Sequence, residues 1–207
     1  MTAFPSLAQD DGMAERLFRS GERAYGAHAY QEALETWNQL LQVAPGSSYA
    51  AQALLCMARH LADVDMKPGE ALPLLERIKI QHLKSPVAPE ALLLRGEILA
   101  RLSRKPQDLK EAMGEFNRVV DLFPDHPAVP AAQYGLGMAF KARGQRGRAI
   151  QSFAESLHAD PASPPRLLAP APPRTQRPAA CLPGRPAVCC AVPGRVRAVP
   201  AGPGGDP

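Results

Sequence analysis

The chain has 207 residues, 45% of them hydrophobic and 5% aromatic, with 24 Lys and Arg against 20 Asp and Glu. This length fits one domain with a core of its own, and the absence of any run of about 18 apolar residues excludes a membrane-spanning helix. The net charge of +4 is not spread evenly: residues 166–207 carry +5 and residues 1–165 carry −1, so the main part of the chain offers no basic surface for nucleic acid.

Residues 1–13 read as a leader. Ser6 and Ala8 are small residues spaced as at the end of a secretory signal, but no charged segment and apolar core precede them. Two readings stand. One is a disordered polar leader on a cytoplasmic protein. The other is the remnant of a signal peptide whose start codon lies upstream, which makes the protein periplasmic.

From residue 14 onward the chain repeats a two-helix pattern. The first hairpin spans 14–45, with Gly21, Ala33, Trp37 and Pro45 as its markers and Tyr25 and Tyr30 on either side of its turn. The second spans 48–85. Its first helix, Tyr49 to Leu61, is apolar almost all round, as a helix covered on two sides must be. Its second helix starts near Glu70 and places Pro73 in the first turn, where a missing N–H costs little. The third hairpin spans 89–124, marked by Gly96, Ala112, Phe116 and Pro124. Its Gly-to-Ala spacing of 16, against 12 in the first hairpin, puts about four extra residues in the turn within Arg104–Asp108. The fourth spans 130–161, marked by Gly137, Ala149, Phe153 and Pro161.

These markers have a physical logic. The glycine lets two helices approach closely, the alanine keeps the second helix thin at the crossing, and the aromatic ring fills the space between. The closing proline stops the second helix by forcing the preceding residue out of the helical region. In the fourth hairpin, Leu136-Gly137, Phe140, Ala149, Phe153 and Pro161 fall at the offsets of the tetratricopeptide repeat, which the chain therefore resembles over about residues 14–163. The resemblance implies an all-α fold: a right-handed α-α superhelix of about four hairpins, since one hairpin cannot bury its own apolar faces. Ala33, Ala71, Ala112 and Ala149 recur at intervals of 38, 41 and 37, longer than the common repeat because of the joints Pro45-Gly46-Ser47-Ser48, Pro86-Val87-Ala88-Pro89 and Pro124-Asp125-His126-Pro127. Joints of this kind followed by alanine-rich helices resemble the bacterial cell-envelope branch of the family, the Tol-Pal coordinator and BamD-type proteins. That branch implies a non-catalytic scaffold.

Past residue 165 the composition changes. Proline and glycine make 15 of the 42 residues from 166 to 207, with no Lys, Glu, Ile, Phe or Tyr. Such a stretch cannot offset its ordering entropy and is read as a disordered tail. It is either a basic, proline-rich arm or the product of a frameshift that replaced the native C-terminus. Either way Ile150, Phe153 and Leu157 lack the next hairpin that would cover them, which points to self-association.

Catalytic and metal chemistry find little support. Cys56 and His60 lie four apart on one helix face, but no second pair at zinc spacing accompanies them. Gly135-Leu136-Gly137 is a fragment of a phosphate-binding loop without a preceding strand, and reads as helix packing. Only Cys56 of the four cysteines lies in the repeats, so no disulfide can form within them. No enzyme, cofactor or metal is expected.

What remains is a surface. The resemblance implies that the first helix of each hairpin lines the concave face. Counting from the marker glycines, the partner-binding candidates are Phe18, Glu22, Tyr25, Gln52, Arg59, Glu90, Glu97, Arg101, Tyr134, Met138 and Lys141. Mixed charge with aromatic anchors suits a peptide or protein partner. The asparagine positions of chaperone-tail binders are held here by Glu22, Arg59, Glu97 and Met138, which argues against that activity. A regulatory or accessory module of a larger protein is the alternative.

Overall fold

A computed structural model describes residues 7–159; the residues before Leu7, Pro161 and the stretch 166–207 lie outside it. Among the described residues there are eight α-helices and no strand: α1 (Leu7–Gly26), α2 (Tyr30–Val43), α3 (Ser48–Asp63), α4 (Pro68–Gln81), α5 (Ala88–Leu102), α6 (Leu109–Leu122), α7 (Val129–Ala142) and α8 (Arg146–Ala159). Each odd helix packs antiparallel on the next to give four hairpins, which stack into a helical solenoid.

Local chemistry sets the helix ends. Ser47 caps α3 by accepting the Ala50 amide at 3.1 Å. Prolines open α4, α5 and α7, where the absent N–H would have had no helical partner. The sequence places Pro73 in the first turn of α4, but that helix begins at Pro68, so Pro73 stands inside it. The break is tolerated because Pro73 and the Gly69 backbone opposite are exposed, leaving the freed carbonyl to water. The extra residues of the third hairpin form a short 3-10 turn, Pro106–Asp108, between α5 and α6. At the N-terminus α1 starts at Leu7, within the expected leader.

Inside each hairpin the packing rests on matched sizes. A methyl group placed on Gly21 would stand 2.3 Å from Trp37 Nε1, and one on Gly137 2.4 Å from Phe153 Cε1. The ring of the second helix thus lies directly on the backbone of the first. The second hairpin solves the same problem with Ala58 and Leu75, both fully buried: one methyl more on the first helix, a smaller side chain on the second. Ala33, Ala71, Ala112 and Ala149 are all buried at 4% exposure or less, one turn away on the second helix. At the mouth of the fourth hairpin the Ser156 hydroxyl donates to the Pro130 carbonyl at 2.7 Å, tying α8 to the start of α7.

The buried apolar residues form two clusters. The first runs from α1 to α5 and includes Ala91, Leu94 and Ile98 of α5; the second takes Leu92 of α5 and continues through α6 and α7. The core therefore divides within α5.

Candidate partner-binding face

Successive first helices touch one another (α1 with α3, α3 with α5, α5 with α7), whereas successive second helices do not pack together comparably. The stack therefore bends with α1, α3, α5 and α7 on its inner side. This is where the resemblance places the binding face.

The structure brings some of the expected residues together there. Arg59 of α3 donates to Glu90 of α5 at 2.6 Å, with both side chains 30% exposed. Glu97 and Arg101 pair along α5 at 3.8 Å. Gln52, Glu97, Tyr134 and Met138 are half-buried, and Arg101 and Lys141 are exposed. Tyr134 keeps its ring 5.4 Å from Phe153, so it is held in place while one edge stays open.

Others behave differently. Phe18 is 4% exposed, closed in by Trp37 at 6.4 Å and Tyr49 at 5.8 Å between ring centres, so the expectation of a surface anchor is corrected. Burying a phenyl ring against two aromatic neighbours is worth more than presenting it to water. Tyr25 is half-buried in a ring cluster with Tyr30, Trp37 and His60 at 5.0–5.7 Å, and its hydroxyl lies 3.4 Å from His60 Nδ1. Glu22 is half-buried beside the Arg19 of its own helix. Desolvation pushes its carboxyl above the usual range, and Arg19 partly opposes that rise.

One residue the sequence reading missed belongs with Tyr134. Counting back three from the marker, Phe18, Leu55, Leu93 and Tyr134 share a register; Phe18 and Leu55 are buried, whereas Leu93 and Tyr134 are half open. The rule of equivalent positions alone would have named Leu93, but not which members of the row are closed. The apolar part of the inner face accordingly lies on α5 and α7.

Catalytic and metal groupings fare as follows. Gly135 and Gly137 face the Phe116 and Phe153 rings, so the glycine pair serves packing inside a helix. Cys56 is disulfide-bonded, and His60 is engaged with Tyr25 and lies 3.4 Å from Asp65, so this pair is not free for a metal ion. Among the described residues no group of three His, Cys, Asp or Glu could hold a metal, and no helix is long and apolar enough to cross a membrane.

Paired helices with rings seated on glycines, stacked around a common bend, define a tetratricopeptide-like helical solenoid, a class of protein-interaction scaffold. Residues 67–127 and 107–164 match the family model described as tetratricopeptide repeat. Among solved structures, one titled "Crystal structure of MamA" is similar with a TM-score of 0.55 at 18% identity, over 72% of this chain and 78% of that one. A second, titled "Crystal structure of MamA protein", has a TM-score of 0.38 at 14% identity, over 72% of this chain and 92% of that one. No curated protein matches the chain. The repeats and the fold together support a scaffold that binds other proteins.

Proposed function

We propose that the chain is a non-catalytic scaffold that captures a segment of a protein partner on the inner face of α5 and α7. The reading is carried by one observation: Leu93, Tyr134 and Met138 remain half open there, while Phe18 and Leu55, earlier in the same stack, are closed. Glu97, Arg101 and Lys141 border this strip and supply charge of both signs for orientation. Held aromatic and thioether surface with a polar rim is the composition of a contact centre. The bacterial cell envelope is the setting we infer, on the long joints and repeat intervals of 37–41 residues. The side of α8 that exposes Ile150 and Leu157 offers a second contact, through which copies of the chain associate.

A photo-reactive phenylalanine analogue at Met138 tests the main reading in the native host. It should trap a partner protein, while the same analogue at Ile80, 72% exposed on α4, should not. Equal trapping from both positions, or from Ile80 alone, would remove the inner face from the account.

A further inference from the structure

The same three places recur at every junction between hairpins, and the chain fills them in two different ways. Eight residues after the marker alanine, one before the marker glycine of the next hairpin (Ala58 in the second), and three after that hairpin's alanine, the first junction holds Leu41, Met57 and Leu74. The third junction holds Val120, Leu136 and Ser152. The second holds Lys79, Arg95 and Glu115. At these three places the neighbouring junctions carry mainly apolar side chains, the middle one charge.

The geometry agrees with the register. Glu115 of α6 is 4% exposed and accepts from Arg95 of α5, from Lys79 of α4 at 3.1 Å and from Arg118 at 3.3 Å. Arg95 also reaches Glu76 of α4 at 2.8 Å, and Lys79 reaches it at 3.4 Å. On the inner side the Arg59–Glu90 pair spans the same junction, from α3 to α5. Beside this network the first apolar cluster crosses the junction, through Ala91, Leu94 and Ile98 of α5.

We propose that the junction between the second and third hairpins is the flexing joint of the solenoid. The inner face changes its curvature by opening there, between α4 and α5, and the other two junctions stay shut. Three physical points carry this. Buried charges must recover their lost hydration from one another, so these three places add little to closure, whereas the apolar side chains at the same places of the other junctions gain outright. The network is also incomplete: Glu115 Oε2 and Arg95 Nε are buried without a hydrogen-bond partner among the described residues, each at a cost that opening relieves. Finally, in a stacked array each hairpin holds only its neighbours, so the junction with the weakest closure opens first and leaves two intact halves.

Native-state hydrogen exchange on the full chain, read by mass spectrometry, tests the proposal. Amides of α1–α3 and of α6–α8 should exchange through two separate openings with different denaturant dependence. The replacement K79L/R95M/E115L, which copies the first junction, should merge them into one. A single opening in the unaltered chain, or two that persist unchanged in the variant, would overturn the joint. Should that variant lose its helical circular dichroism, Glu115→Gln keeps the shape and removes the charge. It should speed exchange in α5 and α6 by about threefold or more relative to α1 and α2, and a uniform change along the chain would count against the proposal.

Discussion

Gly96 and Phe116 meet where a side chain on the first would have no room: a methyl group on Gly96 would stand 2.5 Å from Phe116 Cε1. The far side of the same ring is met by Gly135 of the next hairpin, where a methyl would stand 2.7 Å from Cζ. One ring is therefore seated between two glycines of two hairpins.

Gly96→Ala should accordingly destabilise the protein by about 2 kcal/mol, the usual scale for overpacking a closed site. Urea unfolding followed by circular dichroism would measure it. Adding Phe116→Leu should recover part of the loss, because Ala58 and Leu75 already pack that way in the second hairpin. A double variant less stable than Gly96→Ala would show that size matching is not the cause.

The hairpin turns allow a gain. Gly144 has φ +75° in the last turn, while His28 and Met66 hold the same left-handed conformation with side chains, at φ 63° and 56°. Met66 is 67% exposed, so little packing is lost with it. Met66→Gly should raise stability by roughly 0.5–1 kcal/mol through relief of the left-handed strain, less the added freedom of the unfolded chain. The melting temperature would report it.

His82 gives the protein a pH dependence. Burial, and then Arg77, lower its pKa below the ordinary 6.5, against the opposing hydrogen bond to the Pro45 carbonyl. A lowered folded pKa means that the unfolded chain takes up a proton which the fold refuses. Stability should therefore fall as pH drops from 7.5 through 6.5 and below. His82→Gln should flatten that slope between pH 7.5 and 5.5. Glu22, with its raised pKa, titrates with the opposite sign nearer the carboxylate range, so the comparison is made between the two proteins at each pH.

Ile150 and Leu157 stand 69% and 58% exposed on α8, whereas Met113 at the register of Ile150 is 9% exposed under the following hairpin. Sedimentation velocity should reveal concentration-dependent association, and I150K/L157K should abolish it. A chain that stays monomeric at 100 μM (a concentration of our choosing) would contradict the proposed second contact.

Much of this was written in the spacing of a few residues. Gly21 with Trp37, Gly96 with Phe116 and Gly137 with Phe153 announce helix pairs, because each glycine is needed only where a ring must sit on a backbone. The binding face was less legible. Phe18 and Tyr134 occupy equivalent positions, yet Tyr49 closes over the first and among the described residues nothing comparable covers the second; that difference depends on neighbours from another helix. The burial of Glu115 was not legible either, since a lone glutamate on a helix normally faces water. Only its alignment with Lys79 and Arg95 across three helices shows otherwise.

The Ser156 hydrogen bond to the Pro130 carbonyl closes the open end of the fourth hairpin, opposite its glycine turn. A helix pair fastened at both extremities resists fraying. The side of α8 that exposes Ile150 and Leu157 is therefore a firm wall, which a partner can meet without first having to reshape it.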